Sequence, residues 1–154
     1  MKHPRALNSM PASLSPALRT FRAICWAGVV IWACTVFYLS SRPTDALIED
    51  LPFLMQMWDK GLHFAAFFCG VLPLVPALRL TYGWGWGKVC LVAVMATSLY
   101  GAIDEVHQRW TPSRTGLSLA DWVADTLGAL AGAPIAAFVH AFLERKNRQV
   151  TAGN

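Results

Sequence analysis

Residues 104–125, DEVHQRWTPSRTGLSLADWVAD, form a polar stretch between two long apolar runs. The stretch holds four of the nine carboxylates of the chain, together with one histidine, one glutamine and two arginines. One apolar run ends just before it, at Ile103, and the next becomes free of charged residues only after Asp125. Polar residues at this density between two membrane-length runs indicate either a solvated loop or a binding site, and the rest of the chain favours the site.

The composition of the chain excludes an ordinary soluble domain. The 154 residues are 55% hydrophobic and 14% charged, and the mean hydropathy is +0.41. Globular domains usually carry about 25% charged residues. Because so few charges cannot cover the surface of a small soluble protein, and because the uncharged runs are long, the sequence predicts an integral membrane protein.

Four apolar runs divide the chain, at residues 23–39, 62–78, 89–103 and 119–143. The predicted fold is therefore all-α: a polytopic membrane protein with four transmembrane helices in a single bundle. The predicted boundaries are 1–20 for a polar N-terminal tail, 21–143 for the membrane domain and 144–154 for a basic tail. A secretory signal peptide is the alternative for the first run. That run is longer than a usual signal core and no A-x-A site follows, which favours an uncleaved helix.

The segments between the apolar runs and the prolines within them predict further local features. Residues up to about 17 are expected to be disordered, and 41–58 to form a polar loop whose part 52–58 lies at the membrane interface. Pro73 and Pro76 are expected to kink the second helix. The turn after that helix, TYGWGWGK, is rich in tyrosine and tryptophan, which is typical of the aromatic belt at a membrane boundary.

The distribution of charge predicts the orientation. With four spans, one side of the membrane receives both tails and the 79–88 turn, and this side holds nine of the thirteen basic residues but only one acid, Glu144. The positive-inside rule then places both termini in the cytoplasm and the loops 41–58 and 105–118 outside a bacterial inner (cytoplasmic) membrane. The net charge of +4 is explained by this topology and by anionic lipids. Membrane lipids are therefore the predicted partners, and nucleic acid is not.

Cysteine and histidine give no metal-binding signature. The four cysteines lie in apolar runs without a CxxC spacing, so small buried apolar side chains are the prediction for all of them. His63 and His107 are of the residue type that binds divalent metals, as are the carboxylates near them. No HExxH or comparable spacing is present, and the sequence predicts neither a metal nor a cofactor.

Helical periodicity places the polar residues of the fourth helix on one face. Asp121 and Asp125 are four residues apart, and Gly128 and Gly132 continue the same stripe. Small residues on one face permit close packing of helices in a membrane. The stripe is therefore predicted to face the bundle and to bring both aspartates with it.

The second and third helices bring further polar groups to the same depth. Asp59 and His63 share a face of the second helix. At the end of the third, Glu105 and Gln108 share one face, and Asp104 and His107 lie on an adjacent one. All of these groups reach the outer membrane boundary. His63, Glu105, Gln108, Arg114 and Asp121 are accordingly predicted to line one cavity that opens outward.

A purely structural explanation is available for some of these residues. Carboxylates in the first turn of a helix, such as Asp59 and Asp121, are favoured by the helix macrodipole. Asp104 and Glu105 lie instead at a helix C-terminus, where the dipole disfavours negative charge. Some group must compensate them; Arg114 and Lys60 are the natural candidates, and Arg114 is predicted to pair with Glu105. Asp125 is the deepest ionisable residue, and such residues within a span are usually functional.

The cluster resembles the VanZ family. The segments that carry the resemblance are DKGLHF at 59–64, DEVHQ at 104–108, then Pro112, Arg114, Ser118 and Asp121, and DTLG at 125–128. The resemblance covers about residues 30–140 in order. It implies a small multi-span bacterial membrane protein, in a family named for a member linked to teicoplanin resistance. Asp125 departs from the family pattern, because many members carry asparagine there.

The predicted site has two groups of residues. The candidate catalytic residues are His63, Glu105 and Asp121, because a histidine beside carboxylates is suited to general acid–base chemistry. The candidate substrate-binding residues are Asp59, Lys60, His107, Gln108, Arg114 and Asp125. The predicted function is an outward-facing polar site that binds or modifies a cell-envelope lipid or lipid-linked precursor, with a link to glycopeptide resistance. The alternatives are a small transporter or channel and a non-catalytic membrane partner protein.

Overall fold

The computed structural model describes residues 14–50 and 59–152, with side chains described up to residue 146. Within these ranges every regular element is an α-helix. In chain order the helices are α1 (Pro16–Ser40), α2 (Thr44–Asp50), α3 (Asp59–Tyr82), α4 (Trp86–Gln108) and α5 (Leu119–Ala152). The predictions made for residues 1–13 and for the interfacial segment 52–58 lie outside the described residues.

Four of these helices are long and apolar enough to cross a membrane: α1, α3, α4 and the part of α5 over Leu119–Lys146. This confirms the predicted all-α fold with four transmembrane helices. The start of α1 was predicted too late in the chain. Ser15 caps the helix, since its Oγ accepts a hydrogen bond from the Leu18 amide at 3.3 Å, and Pro16 takes the first helical position. In the predicted loop after α1, residues 44–50 form α2.

Helix α3 lies at the centre of the bundle and packs most extensively against α5, with smaller interfaces to α1 and α4. Gly128 and Gly132 of α5 lie directly against the backbone of α3 at Phe64 and Phe68. The predicted small-residue stripe therefore does face the bundle. It carries Asp121 and Asp125 inward with it, and both side chains are buried.

Apolar packing and polar packing occupy opposite ends of the bundle. The buried apolar core lies in the half of the bundle near the α3–α4 turn and consists of Val71, Leu74, Val75, Leu78, Val89, Ala93, Ala129, Ala133, Ala136 and Ala137. At the other end α1 finishes at Ser40 and α4 at Gln108, while α3 begins at Asp59 and α5 at Leu119. We call this second end the polar end, because most of the acidic residues gather there.

The turn between α3 and α4 has the side chains of a membrane interface. Tyr82 stacks on Trp84 with ring centroids 4.5 Å apart, and the Lys88 ammonium lies 4.2 Å from the Trp84 ring centroid. Aromatic rings in contact with cationic side chains are favoured at the boundary between lipid and water. The predicted aromatic belt therefore lies at the end of the bundle opposite the polar end.

Two further local predictions concern the prolines of α3 and the four cysteines. Pro73 and Pro76 lie inside α3, which runs unbroken from Asp59 to Tyr82, so the kink stays a prediction. The burial predicted for the cysteines holds for Cys25, holds in part for the half-buried Cys90 and is wrong for Cys34 and Cys69, which are exposed. Cys69 lines a cavity at the polar end, and Cys34 lies on the outer surface of α1, where an apolar thiol that faces lipid needs no cover from other helices.

Candidate functional site

A cavity of about 420 Å³ lies at the polar end, between α1, α2, α3 and α4. Its polar lining comes from Ser40, Asp59, His63, Asp104, Gln108 and Arg114. Its apolar lining comes from Val36, Leu39, Leu47, Leu62, Ala65, Ala66, Phe67 and Cys69. Along α3 the lining extends from Asp59 to Cys69, which is about 15 Å of helix and about half of a hydrocarbon core that is about 30 Å thick. The cavity is therefore polar at the helix ends and apolar further in.

Asp104 is hydrogen-bonded by neutral donors and forms no salt bridge with the residues that the structure describes. Its Oδ2 accepts hydrogen bonds from Ser40 Oγ and from Gln108 Nε2, each at 2.8 Å. The direct contacts that compensate this carboxylate are these neutral donors, while Arg114, which lines the same cavity, acts on it at longer range. Ser40 belongs to the site although its role was not predicted. The only signal in the sequence was a pair of serines at the end of the first apolar run.

Arg114 binds backbone carbonyls at the end of α1. Its Nη2 donates to the Leu39 carbonyl at 2.8 Å and its Nε to the Arg42 carbonyl at 3.1 Å. A cation at this position complements the carbonyls that are left unpaired at a helix C-terminus. Burial lowers the pKa of the Arg114 guanidinium, which nevertheless remains a cation at neutral pH.

The predicted ion pair between Glu105 and Arg114 is wrong. Glu105 Oε2 instead accepts a hydrogen bond from the Ser118 amide at 2.7 Å, at the start of α5. The chain turns back between α4 and α5, so a backbone donor, rather than the guanidinium, reaches this carboxylate. All nine carboxylates of the side chains lie in the described residues, and none of them forms a salt bridge with Arg114.

The loop between α4 and α5 is held in an uncommon backbone conformation. Ser113 and Leu117 have φ angles of 62° and 54°, and Gly116 has 53°. Non-glycine residues in this region cost about 1–3 kcal/mol each and occur mainly where surrounding contacts hold them. Here the Leu117 amide donates to the Glu105 carbonyl at 3.1 Å, and Thr44 Oγ1 donates to the Ser113 carbonyl at 2.8 Å. The loop is thereby tied to both α4 and α2.

Lys60 joins the first turns of α3 and α5. Its ammonium binds Asp59 Oδ2 at 2.8 Å and also pairs with Asp121 Oδ1. The Asp121 side chain is almost completely buried, whereas that of Lys60 is about one-third exposed. Ser118 caps the same end of α5, because its Oγ accepts a hydrogen bond from the Asp121 amide at 3.3 Å. The ion pair between Lys60 and Asp121 therefore fixes the position of α5 against α3 beside the cavity.

His63 lines the cavity and reaches the deepest carboxylate behind it. His63 Nδ1 lies 3.0 Å from Asp125 Oδ1, and one ligand-type atom from each of His63, Asp125 and Glu105 lies within 4.8 Å of the other two. Asp125 is completely buried, and Gly101 makes room for it: a Cβ at residue 101 would lie 2.7 Å from Asp125 Oδ2. Nothing in the sequence pattern had indicated Gly101. We call His63, Glu105 and Asp125 the His–Glu–Asp cluster.

His107 lies apart from these groups. Its Nε2 is 2.9 Å from Ser41 Oγ, and its ring stacks on Phe37 of α1 with centroids 4.6 Å apart. It contacts the outer side of α1 and does not line the cavity.

The structure thus divides the predicted site residues by position. Asp59, His63, Gln108 and Arg114 line the cavity. Lys60, Glu105, Asp121 and Asp125 lie beside it without lining it, which corrects the expectation that Glu105 and Asp121 face its interior. The catalytic and binding roles of these residues remain predictions.

The fold and the site define a small polytopic membrane protein of four apolar spans, with a cavity and a set of buried acidic residues gathered at one end of the bundle. The VanZ/LLP1 family model matches residues 21–140, and the chain belongs to this family. The family resemblance inferred from the sequence is thereby confirmed. Comparisons with curated proteins and with solved structures give no significant match.

Proposed function

We propose that this VanZ-family protein lies in the bacterial cytoplasmic membrane with both termini in the cytoplasm and the cavity on the outer side. The support is the separation of charge between the two ends of the bundle. Eight of the nine acids belong to the polar end or the loops beside it, whereas Arg79, Lys88 and both basic tails belong to the other. Basic residues collect on the cytoplasmic side of membrane proteins. The cavity then opens toward the outer leaflet.

We infer that the cavity binds the head group and the upper part of the hydrocarbon chain of an anionic cell-envelope amphiphile, a phospholipid or a lipid-linked envelope precursor. The observation that supports this inference is the lining of the cavity. Its polar groups lie at the helix ends and its apolar groups extend about 15 Å along α3 toward the middle of the bundle. A ligand that fills both parts must be polar at one end and apolar at the other, and it must enter at the depth of one leaflet.

Arg114 is the group that selects an anionic head group. Its two bonds to the carbonyls of α1 use two of the five guanidinium donors, and no carboxylate forms a salt bridge with it, although Asp59 and Asp104 line the same cavity. Lys60, the other nearby cation, is already paired with Asp59 and Asp121. A guanidinium held in place by backbone bonds suits the charge-assisted binding of a phosphate or carboxylate.

Native mass spectrometry of the purified protein in detergent tests this function. The probes are phosphatidylglycerol, phosphatidylethanolamine and a polyprenyl pyrophosphate, each titrated separately. Arg114→Gln removes the charge but keeps donors and is expected to weaken binding of the anionic probes by tenfold or more, since charge-assisted bonds are worth about 1.5–3 kcal/mol. Arg109→Gln is the matched control, because Arg109 is exposed in the same loop and does not line the cavity.

A second variant tests the apolar part of the cavity. Ala66→Phe places a large side chain among the apolar lining residues and is expected to reduce binding of every amphiphile, whatever its head group. Stronger binding of the pyrophosphate than of phosphatidylglycerol identifies a lipid-linked precursor, and the reverse order identifies a phospholipid. Equal binding by wild type, Arg114→Gln and Ala66→Phe would refute the function. In that case the non-catalytic partner hypothesis becomes the better one. A glycopeptide sensitivity assay with the same variants tests the proposed link to resistance.

A further inference from the structure

Two carboxylates of the His–Glu–Asp cluster carry oxygens with no hydrogen-bond partner. Glu105 is 4% exposed and Asp125 0% exposed, yet Glu105 Oε1 and Asp125 Oδ2 are buried without a partner among the residues that the structure describes. Buried polar atoms are paired in the large majority of cases, so each orphan needs an explanation. Both unpaired oxygens belong to residues that lie close to His63, so a single ligand bound between the three side chains would explain both of them.

A cation at the cluster would balance its two carboxylates when both are ionised. The other buried carboxylates have partners of their own: Asp121 pairs with Lys60, and Asp104 accepts two hydrogen bonds. Among the described residues, Glu105 accepts only the Ser118 amide, and Asp125 has only His63, whose Nδ1 lies 3.0 Å from Asp125 Oδ1. Even a protonated His63 balances one of the two negative charges, and unpaired charge in a protein interior is costly.

We propose that His63, Glu105 and Asp125 bind one divalent transition-metal ion. The combination of one imidazole nitrogen with carboxylate oxygens suits ions such as Zn²⁺, whereas Mg²⁺ and Ca²⁺ are bound mainly by oxygen. Three protein ligands are the number that catalytic zinc sites use, and they leave a further position for water or for a group of the substrate. Because His63 also lines the cavity, the ion lies next to the space in which a head group would bind.

The cluster is close to the geometry that such an ion requires. In a tetrahedral site, bonds of about 2.0–2.2 Å place two ligand atoms about 3.3–3.6 Å apart. The three ligand-type atoms lie within 4.8 Å of one another, so side-chain movements of up to about an ångström bring them to bonding distance. The Glu105 carboxylate is oriented for metal binding, since Oε2 accepts a hydrogen bond from the Ser118 amide while Oε1 has no hydrogen-bond partner among the described residues. An outer hydrogen bond that orients a ligand is a regular feature of metal sites.

The test uses the full chain purified in detergent with an affinity tag that contains no histidine, because a histidine tag would itself bind zinc. After treatment with a chelator, the protein is titrated with Zn²⁺ against a chromophoric competitor, and the metal retained after desalting is measured by mass spectrometry. Wild-type protein is expected to bind one Zn²⁺ per chain. His63→Gln, Glu105→Gln and Asp125→Asn, which nearly preserve side-chain size, are each expected to weaken binding by tenfold or more.

The matched control is His107→Gln, because His107 lies at the same end of the bundle but contacts Ser41 and Phe37 instead. This variant is expected to bind Zn²⁺ like the wild type. Titration of the wild-type protein with Co²⁺ gives a readout that does not depend on any variant folding, since ligation by nitrogen and oxygen in a four-coordinate site produces visible absorption bands. Absence of both Zn²⁺ binding and Co²⁺ bands in the wild type would overturn the proposal, as would equal zinc affinity in all four variants.

The metal proposal and the lipid proposal can fail separately. Arg114→Gln is expected to lose the anionic amphiphile and to keep Zn²⁺, because Arg114 binds α1 and is no member of the cluster. Glu105→Gln is expected to lose Zn²⁺. If amphiphile binding fails while zinc binding follows the cluster variants, the metal site stands and the lipid function does not. Zinc binding that is lost in Arg114→Gln as strongly as in Glu105→Gln would count against the cluster as the site.

Discussion

Replacing Gly128 with alanine tests the close packing of α5 on α3 that brings Asp125 to His63. The added Cβ would have the Phe64 carbonyl oxygen as its nearest neighbour and would lie 2.9 Å from the Phe68 backbone nitrogen. Ordinary contacts begin at 3.4 Å, so the Phe68 backbone alone would have to retreat by about half an ångström. Both neighbours are backbone atoms, which cannot move by changing a rotamer, so the two helices would have to separate.

The expected magnitude combines two opposing effects. Overpacking of a close interface costs about 1–3 kcal/mol, and the upper end applies here because backbone must move. Alanine is favoured over glycine in a helix by up to about 1 kcal/mol, which offsets part of that cost. Gly128→Ala is therefore expected to lower the free energy of unfolding by about 2 kcal/mol. It is also expected to weaken zinc binding, because His63 adjoins Phe64 and would move away from Asp125.

Gly87→Ala is the matched control, since Gly87 also lies in a transmembrane helix and an added Cβ there meets nothing within 4 Å. This variant is expected to be neutral or to stabilise the protein by up to about 1 kcal/mol. Titration of the detergent-solubilised protein with SDS, followed by tryptophan fluorescence, gives the free energy of unfolding for both variants. If Gly128→Ala matches the wild type within about 0.5 kcal/mol, or if Gly87→Ala is destabilised as much, the close-packing argument is refuted.

Two further predictions concern charge. Reporter fusions placed in the turn 83–85 and after Arg145 are expected to read cytoplasmic, because both sites lie at the basic end of the bundle; a periplasmic signal from either would contradict the proposed orientation. Lys60→Met leaves the buried Asp121 without its cation and is expected to cost about 1–3 kcal/mol, less than for a fully buried pair because Lys60 is partly exposed. Adding Asp121→Asn is expected to restore much of the stability measured by SDS titration, and no recovery would argue against the pair.

The membrane fold followed from the sequence because the bilayer imposes a simple rule. A span needs about 20 apolar residues, and the apolar runs of the chain mark the four spans found as helices. The rule does not give helix ends, and the prediction for α1 failed there: the helix begins at Pro16, among polar residues, because Ser15 caps it. Caps and turns depend on single hydrogen bonds, which hydropathy does not record.

The inward face of α5 also followed from the sequence. The period of the α-helix is regular, so the spacing of Asp121, Asp125, Gly128 and Gly132 was enough to place them on one face. The small residues then indicated which way that face turns, and the structure agrees. The sequence did not predict that Asp121 pairs with Lys60 and Asp125 with His63, since these contacts depend on the depth and rotation of α3 relative to α5.

The error at Glu105 and Arg114 has a physical cause in the loop between them. Nine positions of chain can fold back in many ways, and charge alone favoured an ion pair. Positive φ angles at Ser113 and Leu117 direct the chain so that the Ser118 amide reaches Glu105, while Arg114 turns to the carbonyls of α1. Residues that rarely adopt such angles give no warning of them in the sequence.

The sequence by itself determined that this chain spans a membrane four times and that its acids gather at one end, because both depend on hydrophobicity and helical period along the chain. Only the tertiary structure decided which carboxylates have hydrogen-bond or ion-pair partners for their oxygens and which have an oxygen without one. Ser40 meets Asp104 across 64 positions and His63 meets Asp125 across 62, while Glu105 joins the latter pair from a third helix. Contacts of this kind are set by how helices rotate and slide against one another, and that is fixed by the glycine contacts between α3 and α5 and by the strained loop before α5.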